Sequence, residues 1–574
     1  MMRPLLPLFL RALPGCLALL WCLPSALPAA EPPPAPLTWH ASGNGGIVAA
    51  GPESSARAGI EMLRNRGNAI DGAVATILNL AVSDYGMFCI GGEVPFMFYE
   101  AKTGKVMVFN GMGGAPRDPQ TIAWYYEHGI PRRGIQAATV PSALSTLLAA
   151  LELHGTLSFE QVLAPTLTLL DSGKEPWHPR LAATLRRMVA AEKTTEGSRE
   201  QKIRAARDLF YKGEIASELD RFYVASGAML RKADLEAHTT HVEKSVSASY
   251  RGYVVHKCNT WTQGPVLLQT LRLLEPFDLA GMGFFSPDYL HTTVEAMKLA
   301  YADRDKFYGD PRFVKVPLQA LLSDSYTQIR HRLIDPQHAS QKIRPGDPVR
   351  MIADAGPGES WPGEPGTTTC VVADQWGNVV AATPSANPAY GVCESLGVAH
   401  NTRLSTLNTQ KGHPNCLEPG KRPRITLTPT LVLKDGKPIL ALSVAGGDMQ
   451  DQVSLQMLLD FVEFGKSPRE AIAAPRFLTS HFQDSFNPSP EPQKRMGKIG
   501  GVTLNPTAPP SAADPAADPA AELTRRGHAV HVEKGPLAFP VMVSFDPETG
   551  TAHAASQPTG TFRGKTCAAL ASPR

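Results

Sequence analysis

The chain has 574 residues, which is enough for more than one domain and for a large buried core. Its formal net charge is +3 at pH 7, and its 56 basic and 53 acidic residues are spread along the chain without a basic block. Composition and charge therefore do not point to nucleic acid as a partner.

The first thirty residues have the pattern of a secretory signal peptide. Arg3 and Arg11 are their only charges, residues 16–23 (CLALLWCL) are apolar, and residues 28–30 (PAA) offer small side chains for cleavage. The apolar run is shorter than the roughly 18 residues of a membrane span, and no later segment is long and apolar enough either. We predict a signal peptide over 1–30, export to the periplasm or beyond, and no membrane partner.

Helices and strands are predicted to alternate through about residue 344. The clearest helices cover 142–154 and 287–309. Within the second one, apolar residues recur at helical spacing and predict a buried face. These residues are Leu290, Val294, Met297 and Tyr301.

Two segments have the composition of exposed chain. Residues 345–366 are polar and rich in Pro and Gly, so we predict an exposed linker that ends the helix-rich part. Residues 503–521 are low in complexity and interrupt the strand-rich part that follows; we predict a surface insertion there.

Residues 366–378 (GTTTCVVADQWGN) and the following VVAAT predict a β-hairpin with its turn at DQWGN. A turn centred on Trp376 sets Thr367 opposite Ser385, with Cβ atoms roughly 4.5–5.5 Å apart. Asn387 then faces the same side as Ser385, because side chains alternate along a strand. By these residues alone, an ordinary hairpin explains the threonines equally well, since threonine favours strands.

The spacing Thr-Thr-x5-Asp-x-x-Gly-Asn from Thr367, followed by TPSAN at 383–387, resembles the processing site of a known family. It is similar to the active-site hairpin of the γ-glutamyltransferase (γ-glutamyltranspeptidase) family of N-terminal-nucleophile (Ntn) hydrolases. Further similar segments follow in order along the chain: 67–75 (GNAIDGAVA), 90–92 (IGG), 295–304 (EAMKLAYADR), 421–423 (KRP) and 445–448 (AGGD).

The resemblance implies an α+β fold, the four-layer αββα sandwich of Ntn hydrolases. It also implies that a large fragment, 31–366, and a small catalytic fragment, 367–574, build the sandwich jointly as a heterodimer. By the same resemblance Thr367 is the nucleophile, Ser385 is a supporting hydroxyl, and Gly446 and Gly447 form the oxyanion element.

The chemistry of a threonine supports cleavage between Gly366 and Thr367. A threonine hydroxyl is a poor nucleophile without a base, and the motif offers none. Cutting this bond gives Thr367 a free α-amine, whose reference pKa of about 7.7–8.0 suits it to accept the hydroxyl proton. Gly366 has no side chain and tolerates strained backbone, which allows the hydroxyl to approach the preceding carbonyl.

Gly446 and Gly447 precede an apolar stretch, residues 453–459, that is consistent with a helix. Backbone N–H groups at the mouth of such a helix stabilise developing negative charge. A strand-to-helix turn that needs glycine only for steric reasons is the alternative.

Three contacts differ from the family's, all of them contacts by which the family recognises the α-carboxylate and α-amino group of the glutamate substrate. The arginine that grips the substrate α-carboxylate falls at Met112, and the acids that read the α-amino group fall at Ser405 and Thr406. The paired serines after KRP are Ile425 and Thr426. We infer retained amide chemistry on an altered acyl group.

We predict that Asn387, Arg403 and Thr426 bind substrate. An anionic acyl substituent would suit Arg403 or Arg424, because a planar guanidinium pairs well with carboxylates. The alternative is that both arginines are solvated surface charges.

No cofactor or metal is predicted. The histidines lack spacings such as H-E-x-x-H, and the cysteines lack C-x-x-C. For an exported chain we would test Cys393 with Cys416 first as a disulfide.

The sequence thus predicts a self-processed N-terminal-threonine amidohydrolase or acyltransferase of γ-glutamyltransferase type. Its small-molecule substrate would be a γ-glutamyl amide such as glutathione, or an amide of a non-glutamyl acyl group such as glutaryl or oxamate-like. An unprocessed, non-catalytic ligand-binding protein is the alternative from another class.

Overall fold

A computed structural model describes residues 39–355, 366–386, 390–505, 518–558 and 567–572. The predicted signal peptide and the predicted substrate-binding residue Asn387 lie outside the described residues.

The strands are β1 (His40–Gly43), β2 (Gly46–Ala50), β3 (Phe96–Glu100), β4 (Lys105–Asn110), β5 (His241–Lys244), β6 (Val246–Tyr250), β7 (Tyr253–Lys257), β8 (Cys370–Asp374), β9 (Val379–Ala382), β10 (Tyr390–Cys393), β11 (Val398–His400), β12 (Thr430–Lys434), β13 (Lys437–Ala445), β14 (Arg476–Thr479), β15 (Gly501–Asn505), β16 (Ala529–Val532), β17 (Phe539–Phe545), β18 (Ala552–Ser556) and β19 (Ala568–Ala571).

The helices are α1 (Glu53–Arg64), α2 (Ala69–Ser83), α3 (Pro119–His128), α4 (Ala143–His154), α5 (Phe159–Ser172), α6 (His178–Thr194), α7 (Arg199–Tyr211), α8 (Glu214–Ser226), α9 (Lys232–Glu236), α10 (Pro265–Leu274), α11 (Leu279–Met282), α12 (Pro287–Phe307), α13 (Leu318–Leu321), α14 (Asp324–His331), α15 (Gln450–Val462), α16 (Pro468–Ala473), α17 (Pro492–Arg495) and α18 (Pro519–Arg525). Short 3₁₀ turns cover Ile135–Ala137, Arg403–Thr406 and Gly447–Met449.

Two seven-stranded antiparallel sheets form the centre of the molecule. Sheet I has the order β1-β18-β17-β13-β12-β7-β6, and sheet II has the order β19-β2-β8-β9-β3-β4-β5. A three-stranded sheet, β14-β15-β16, and the pair β10-β11 lie outside them.

Alternation along the strands separates the apolar cores. In β2, Ile47 and Ala49 point to a core between the two sheets, while Val48 and Ala50 point to a core under α1, α2 and α4. In β13, Leu440 likewise faces a third core, under α10, α12 and α15. The layers are therefore helices, sheet II, sheet I and helices, which confirms the predicted α+β αββα sandwich.

Both sheets contain strands from each side of the Gly366–Thr367 bond. Residues before this bond supply β1, β6 and β7 to sheet I and β2–β5 to sheet II, and later residues supply the other strands. The two parts of the chain thus build one sandwich jointly.

The two clearest predicted helices are confirmed as α4 and α12. Leu290, Val294, Met297 and Tyr301 of α12 are buried in the core on the outer face of sheet I, as their spacing predicts.

The predicted linker begins with an anchored stretch. The Gly346 N–H donates to the buried carboxylate of Asp303 at 2.7 Å, and the Gly346 carbonyl accepts from Lys306 Nζ at 2.8 Å. Val349 is 74% exposed, so the predicted linker becomes exposed to solvent just after the bonded residue Gly346. Residues 356–365 lie outside the described part.

The low-complexity insertion is narrower than the predicted 503–521. Strand β15 extends to Asn505 and helix α18 begins at Pro519, because the ends of the segment join ordered elements.

Cys393 and Cys416, the pair chosen as the first to test for a disulfide, are not bonded to each other. Both thiols are free, as are the other cysteines of the described residues. Cys393 ends β10 and packs in the core under sheet II, whereas the thiol of Cys416 lies 4.0 Å from Lys421 Nζ.

None of the helices in the described part of the chain has the length and hydropathy of a transmembrane segment.

Candidate active site

The hairpin of β8 and β9 sets Thr367 beside Ser385. The strands pair Cys370 with Ala382, and the same register continued to the start of the hairpin puts Thr367 opposite Ser385. The Thr368 N–H donates to the Pro384 carbonyl at 2.9 Å, in agreement with that register. The predicted pairing is confirmed.

The turn of this hairpin is fixed by the motif at 67–75. The Asn68 side chain caps α2 by accepting the N–H of Ile70 at 2.9 Å. The N–H of Ala69, which lies between Asn68 and Ile70, donates to the Asp374 carboxylate at 2.9 Å. Asn378 Nδ2 donates to the same carboxylate at 2.8 Å. The start of α2 thereby holds the turn from which both strands run to the site.

The carbonyl of Gly366 accepts hydrogen bonds from two hydroxyls. The Thr367 hydroxyl donates to it over 2.7 Å, and the Ser385 hydroxyl donates to the same oxygen. Both side chains are buried. The uncut chain thus presents a polarised carbonyl next to a hydroxyl.

A buried ion pair lies behind Ser385. Arg403 Nη2 donates to Ser385 Oγ at 2.6 Å, and Arg403 Nε donates to Glu93 Oε1 at 2.7 Å. Arg403 and Glu93 are fully buried, and burial raises the pKa of Glu93 while the Arg403 cation opposes that rise. The alternative of a solvated surface arginine is therefore wrong for Arg403.

Arg424 is not a surface charge either. It is buried, and its Nη1 lies 3.5 Å from the Asp305 carboxylate. Burial lowers the pKa of Arg424 to about 10, and the neighbouring Arg304 acts in the same direction.

Gly446 and Gly447 form the turn between β13 and α15, so the predicted glycine turn followed by a helix is confirmed. Their φ angles are +154° and +60°, which side chains rarely adopt. A Cβ on Gly446 would lie 3.2 Å from the Cβ of Ala538. Conformation and close packing both require glycine here.

Asp448 fixes the turn from its far side. Arg304, at the end of α12, donates to the Asp448 carboxylate at 2.6 Å, and the Ser485 hydroxyl donates to it at 2.7 Å. The stretch 295–304 therefore has a role beyond the core, because its last residue, Arg304, holds the glycine turn.

Gln450 connects the turn to Thr367. One orientation of its carboxamide satisfies both ends: the nitrogen donates to the carbonyls of Val444 (3.0 Å) and Thr426 (3.2 Å), and the oxygen accepts the Gly447 N–H at 3.3 Å. The end that faces Gly447 lies 3.3 Å from the Thr367 hydroxyl oxygen. Thr367 and the N–H of Gly447 thus share one neighbour.

The other predicted recognition positions are buried. Met112 packs in the core between the sheets. The Ser405 hydroxyl donates to the Thr402 carbonyl at 2.8 Å and the Thr406 hydroxyl to the Arg403 carbonyl at 2.9 Å, so both bond within their own 3₁₀ turn.

A cavity of about 210 Å³ opens beside Gly446. Burial and the nearby Asp448 raise the pKa of Asp484, in its wall, to about 7. The lining includes Met449, Leu478, Phe482 and Phe486 with the carboxylates of Asp448 and Asp484.

Sequence reasoning missed Glu93, Gln450 and the cavity segment 478–486. Glu93 directly follows the IGG motif, so a charged residue in an apolar context was a usable signal. Gln450 is the third residue after Gly447, at the first position of α15. The cavity segment carries no motif.

The four-layer sandwich, with a threonine at the head of a central hairpin and a glycine turn beside it, defines an Ntn hydrolase acting as an amidohydrolase or acyltransferase. A family model described as gamma-glutamyltranspeptidase matches residues 55–196 and 176–563. The chain belongs to the gamma-glutamyltranspeptidase family and is a divergent member of it.

The chain is similar to proteins named glutathione hydrolase and to proteins named acylase. A glutathione hydrolase proenzyme of Pseudomonas sp. (strain A14) is 30% identical over 527 residues, covering 80% of this chain and 87% of that protein. An acylase ACY 1 proenzyme of Pseudomonas sp. (strain SE83) is 30% identical over 482 residues, covering 76% and 83%. The solved structure titled "Structure of LmbA2991HD" is 33% identical, has a TM-score of 0.80, and covers 93% of this chain and 99% of its own.

Proposed function

We propose that the chain cuts itself between Gly366 and Thr367 and that Thr367 then acts as an N-terminal nucleophile on amides. The observation that supports this most directly is the Gly366 carbonyl, which accepts hydrogen bonds from the hydroxyls of Thr367 and Ser385. The similar proteins named proenzymes support a processed precursor as well.

In the processed enzyme, the new α-amine accepts the proton of the Thr367 hydroxyl as its oxygen attacks the substrate carbonyl. The N–H groups of Gly446 and Gly447 are the proposed donors to the oxyanion. The α-amine then passes the proton to the substrate nitrogen, the C–N bond breaks, and the amine leaves. Water or a second amine then takes the acyl group from Thr367, which gives hydrolysis or transfer.

For the acyl group we propose a substituent with an apolar body rather than γ-glutamyl. Met112 is uncharged, and the hydroxyls of Ser405 and Thr406 are occupied by their own turn. The charge of Arg403 is balanced by Glu93. The cavity beside Gly446 has walls of Phe, Leu and Met side chains, which suit an apolar acyl chain.

A γ-glutamyl substrate is the second candidate, supported by the relatives named glutathione hydrolase. Release of p-nitroaniline from γ-glutamyl, glutaryl and hexanoyl p-nitroanilides separates the two. We expect kcat/KM to be highest for the hexanoyl amide. A clear preference for the γ-glutamyl compound would overturn the proposed acyl specificity. It would leave the proposed role of Thr367 as the nucleophile unchanged.

Denaturing electrophoresis tests the cleavage. We expect two fragments from the wild type, with the smaller one beginning at Thr367 by N-terminal sequencing, and a single chain from Thr367→Ala. Thr369→Val is the matched control, because it keeps the shape of a buried neighbouring threonine and should still be cut. A wild type that stays intact would favour the non-catalytic binding protein.

We also propose that the two fragments remain a heterodimer after cleavage and that the chain is exported. Strand pairs such as β2 with β8 and β7 with β12 join the two parts of the chain, which supports association. The fragments should elute together in size exclusion and separate only in denaturant. The export proposal rests on the sequence pattern of residues 1–30.

A further inference from the structure

The side chains of the buried pair Glu93 and Arg403 contact the self-cleavage site at the Ser385 hydroxyl. Arg403 Nη2 donates to Ser385 Oγ at 2.6 Å, and Ser385 in turn donates to the Gly366 carbonyl. Glu93 Oε1 accepts a hydrogen bond from Arg403 Nε and forms an ion pair with Nη2. The carboxylate thereby fixes the plane of the guanidinium against the serine.

Holding the chain together does not require this ion pair. The backbones of Glu93 and Ser385 already exchange two hydrogen bonds, of 2.8 and 3.0 Å. The Asn401 side chain ties the segment that carries Arg403 to the Gly91 carbonyl at 2.8 Å and to the Thr139 N–H at 3.0 Å. Because a buried ion pair is often no more stabilising than an apolar replacement, its position calls for another explanation.

Arginine dictates where the Ser385 hydrogen points. A guanidinium has donors only, whereas a hydroxyl has one donor and can rotate. With Arg403 donating to Ser385 Oγ, the serine hydrogen is directed away from the arginine. Two acceptors lie beside it, the Glu93 carboxylate and the Gly366 carbonyl oxygen, and the structure pairs it with the Gly366 carbonyl oxygen. The nearby cation also makes the hydroxyl a stronger donor.

We propose that Arg403, oriented by Glu93, is a positioning residue for self-cleavage, which holds Ser385 as the donor to the oxyanion on Gly366. This inference rests on the proposed function. Thr367 Oγ bonds to the Gly366 carbonyl carbon, and negative charge develops on the carbonyl oxygen against the Ser385 hydroxyl. The bond to the Thr367 nitrogen then breaks and the hydroxyl proton ends on that nitrogen, leaving an ester. Water hydrolyses the ester to the Gly366 carboxylate and the free Thr367 hydroxyl.

The rate of cleavage after cell-free synthesis tests this role. Samples taken after translation is stopped are resolved by denaturing electrophoresis, and the loss of the uncut chain is fitted. Removing one oxyanion donor slows a well-studied protease about 100- to 1,000-fold, so Ser385→Ala should slow cleavage by about that factor. We expect Arg403→Met to slow it by about 100-fold and Arg403→Lys to recover part of the rate.

A double-mutant cycle separates this role from a structural one. If Arg403 acts through Ser385, then Arg403→Met should change the rate less than about threefold in the Ser385→Ala background. Equal slowing in both backgrounds would overturn the inference, because it would mean general damage to the site. The same cycle with Arg403→Lys applies if the methionine variant does not fold, as judged by its thermal unfolding.

The matched control is another buried cation. Lys298 is buried and pairs with Glu295 in α12, away from Thr367, so Lys298→Met should be cut at the wild-type rate once folded. If the wild type is cut and Arg403→Met is cut equally fast, the role inferred for Arg403 is wrong and the proposed function stands. If the wild type stays intact, the proposed function fails first.

Discussion

At the scale of single residues, the surroundings of Thr367 define what its hydroxyl can do. In the uncut chain the hydroxyl donates to the Gly366 carbonyl, and one end of the Gln450 carboxamide lies 3.3 Å from its oxygen. That same end faces the Gly447 N–H, a proposed oxyanion donor. Gln450 thus lies between the nucleophile and the glycine turn, although it takes no part in bond making.

We predict that Gln450→Ala lowers kcat by about five- to tenfold, because one buried hydrogen bond contributes about 1 kcal/mol. KM should change little, since Gln450 lies at Thr367 and the glycine turn. Steady-state hydrolysis of the preferred p-nitroanilide measures both constants.

Gln456 offers the control for this prediction. It is buried on the same helix, α15, and its side chain bonds the Phe477 backbone at 2.6 and 3.0 Å, away from Thr367. Gln456→Ala should lower thermal stability and leave kcat unchanged. An equal loss of kcat in both variants would contradict a local role for Gln450.

At the scale of elements, strand β13 lies between two glycine turns, at Gly436 and at Gly446, which have different functions. Gly436 opens the strand with φ +75° and has open space around it, whereas Gly446 closes the strand with φ +154° against Ala538. Both positions favour glycine because of backbone conformation. Only the second turn lies beside Gln450, which also contacts Thr367.

We predict that Gly446→Ala abolishes most activity, by about 100-fold or more. A Cβ at φ +154° against Ala538 would shift the turn and misplace its N–H groups, and losing an oxyanion donor costs roughly 2.7–4 kcal/mol of barrier. Gly436→Ala should destabilise the protein by about 1 kcal/mol through the same kind of backbone strain and keep full activity. Activity and urea unfolding of both variants decide the point. Loss of activity in Gly436→Ala would show that turn strain alone explains the effect.

At the scale of the whole molecule, side chains as well as strands connect the two parts of the chain. His481 is buried, and its Nδ1 accepts the Gly500 N–H at 2.9 Å. Its Nε2 lies 3.1 Å from the Lys342 carbonyl, across the cleavage point in sequence, and must therefore carry the hydrogen. A second proton on this ring would face the Gly500 N–H.

Burial, with the charge of Lys298 beside it, lowers the pKa of His481 to about 3 from an ordinary 6.5. The unfolded chain therefore binds a proton that the folded chain excludes between these values. The stabilising contribution is complete above about pH 6.5 and is lost as the pH falls toward 3.

We predict that the unfolding free energy falls on going from about pH 7.5 to about pH 5, and that the fall is about 2 kcal/mol smaller in His481→Asn. Urea unfolding of the uncut Thr367→Ala chain, with and without the second substitution, measures the difference. His338, whose side chain is 81% exposed, provides the control. If His338→Asn flattens the profile as much as His481→Asn, the assignment to His481 is incorrect.

Much of the fold could be predicted because its signals are local. Periodicity located α4 and α12, and the turn residues of DQWGN fixed the register that sets Thr367 opposite Ser385. The pairing of the cysteines stayed open at the level of sequence, because the spacing of Cys393 and Cys416 along the chain carries no information on their distance in space.

The sequence by itself determined the class of fold, the hairpin register, the glycine turn and the family, because each depends on residues close together in the chain or on an ordered series of motifs. Only the tertiary structure decided that Arg403 is buried against Glu93, that Gln450 faces both Thr367 and Gly447, and that an apolar cavity lies beside Gly446. Glu93 and Arg403 are 310 positions apart in the chain. The ion-pair partner of a charged residue cannot be identified from the sequence at such a separation, because only the folded sheets bring the two segments together.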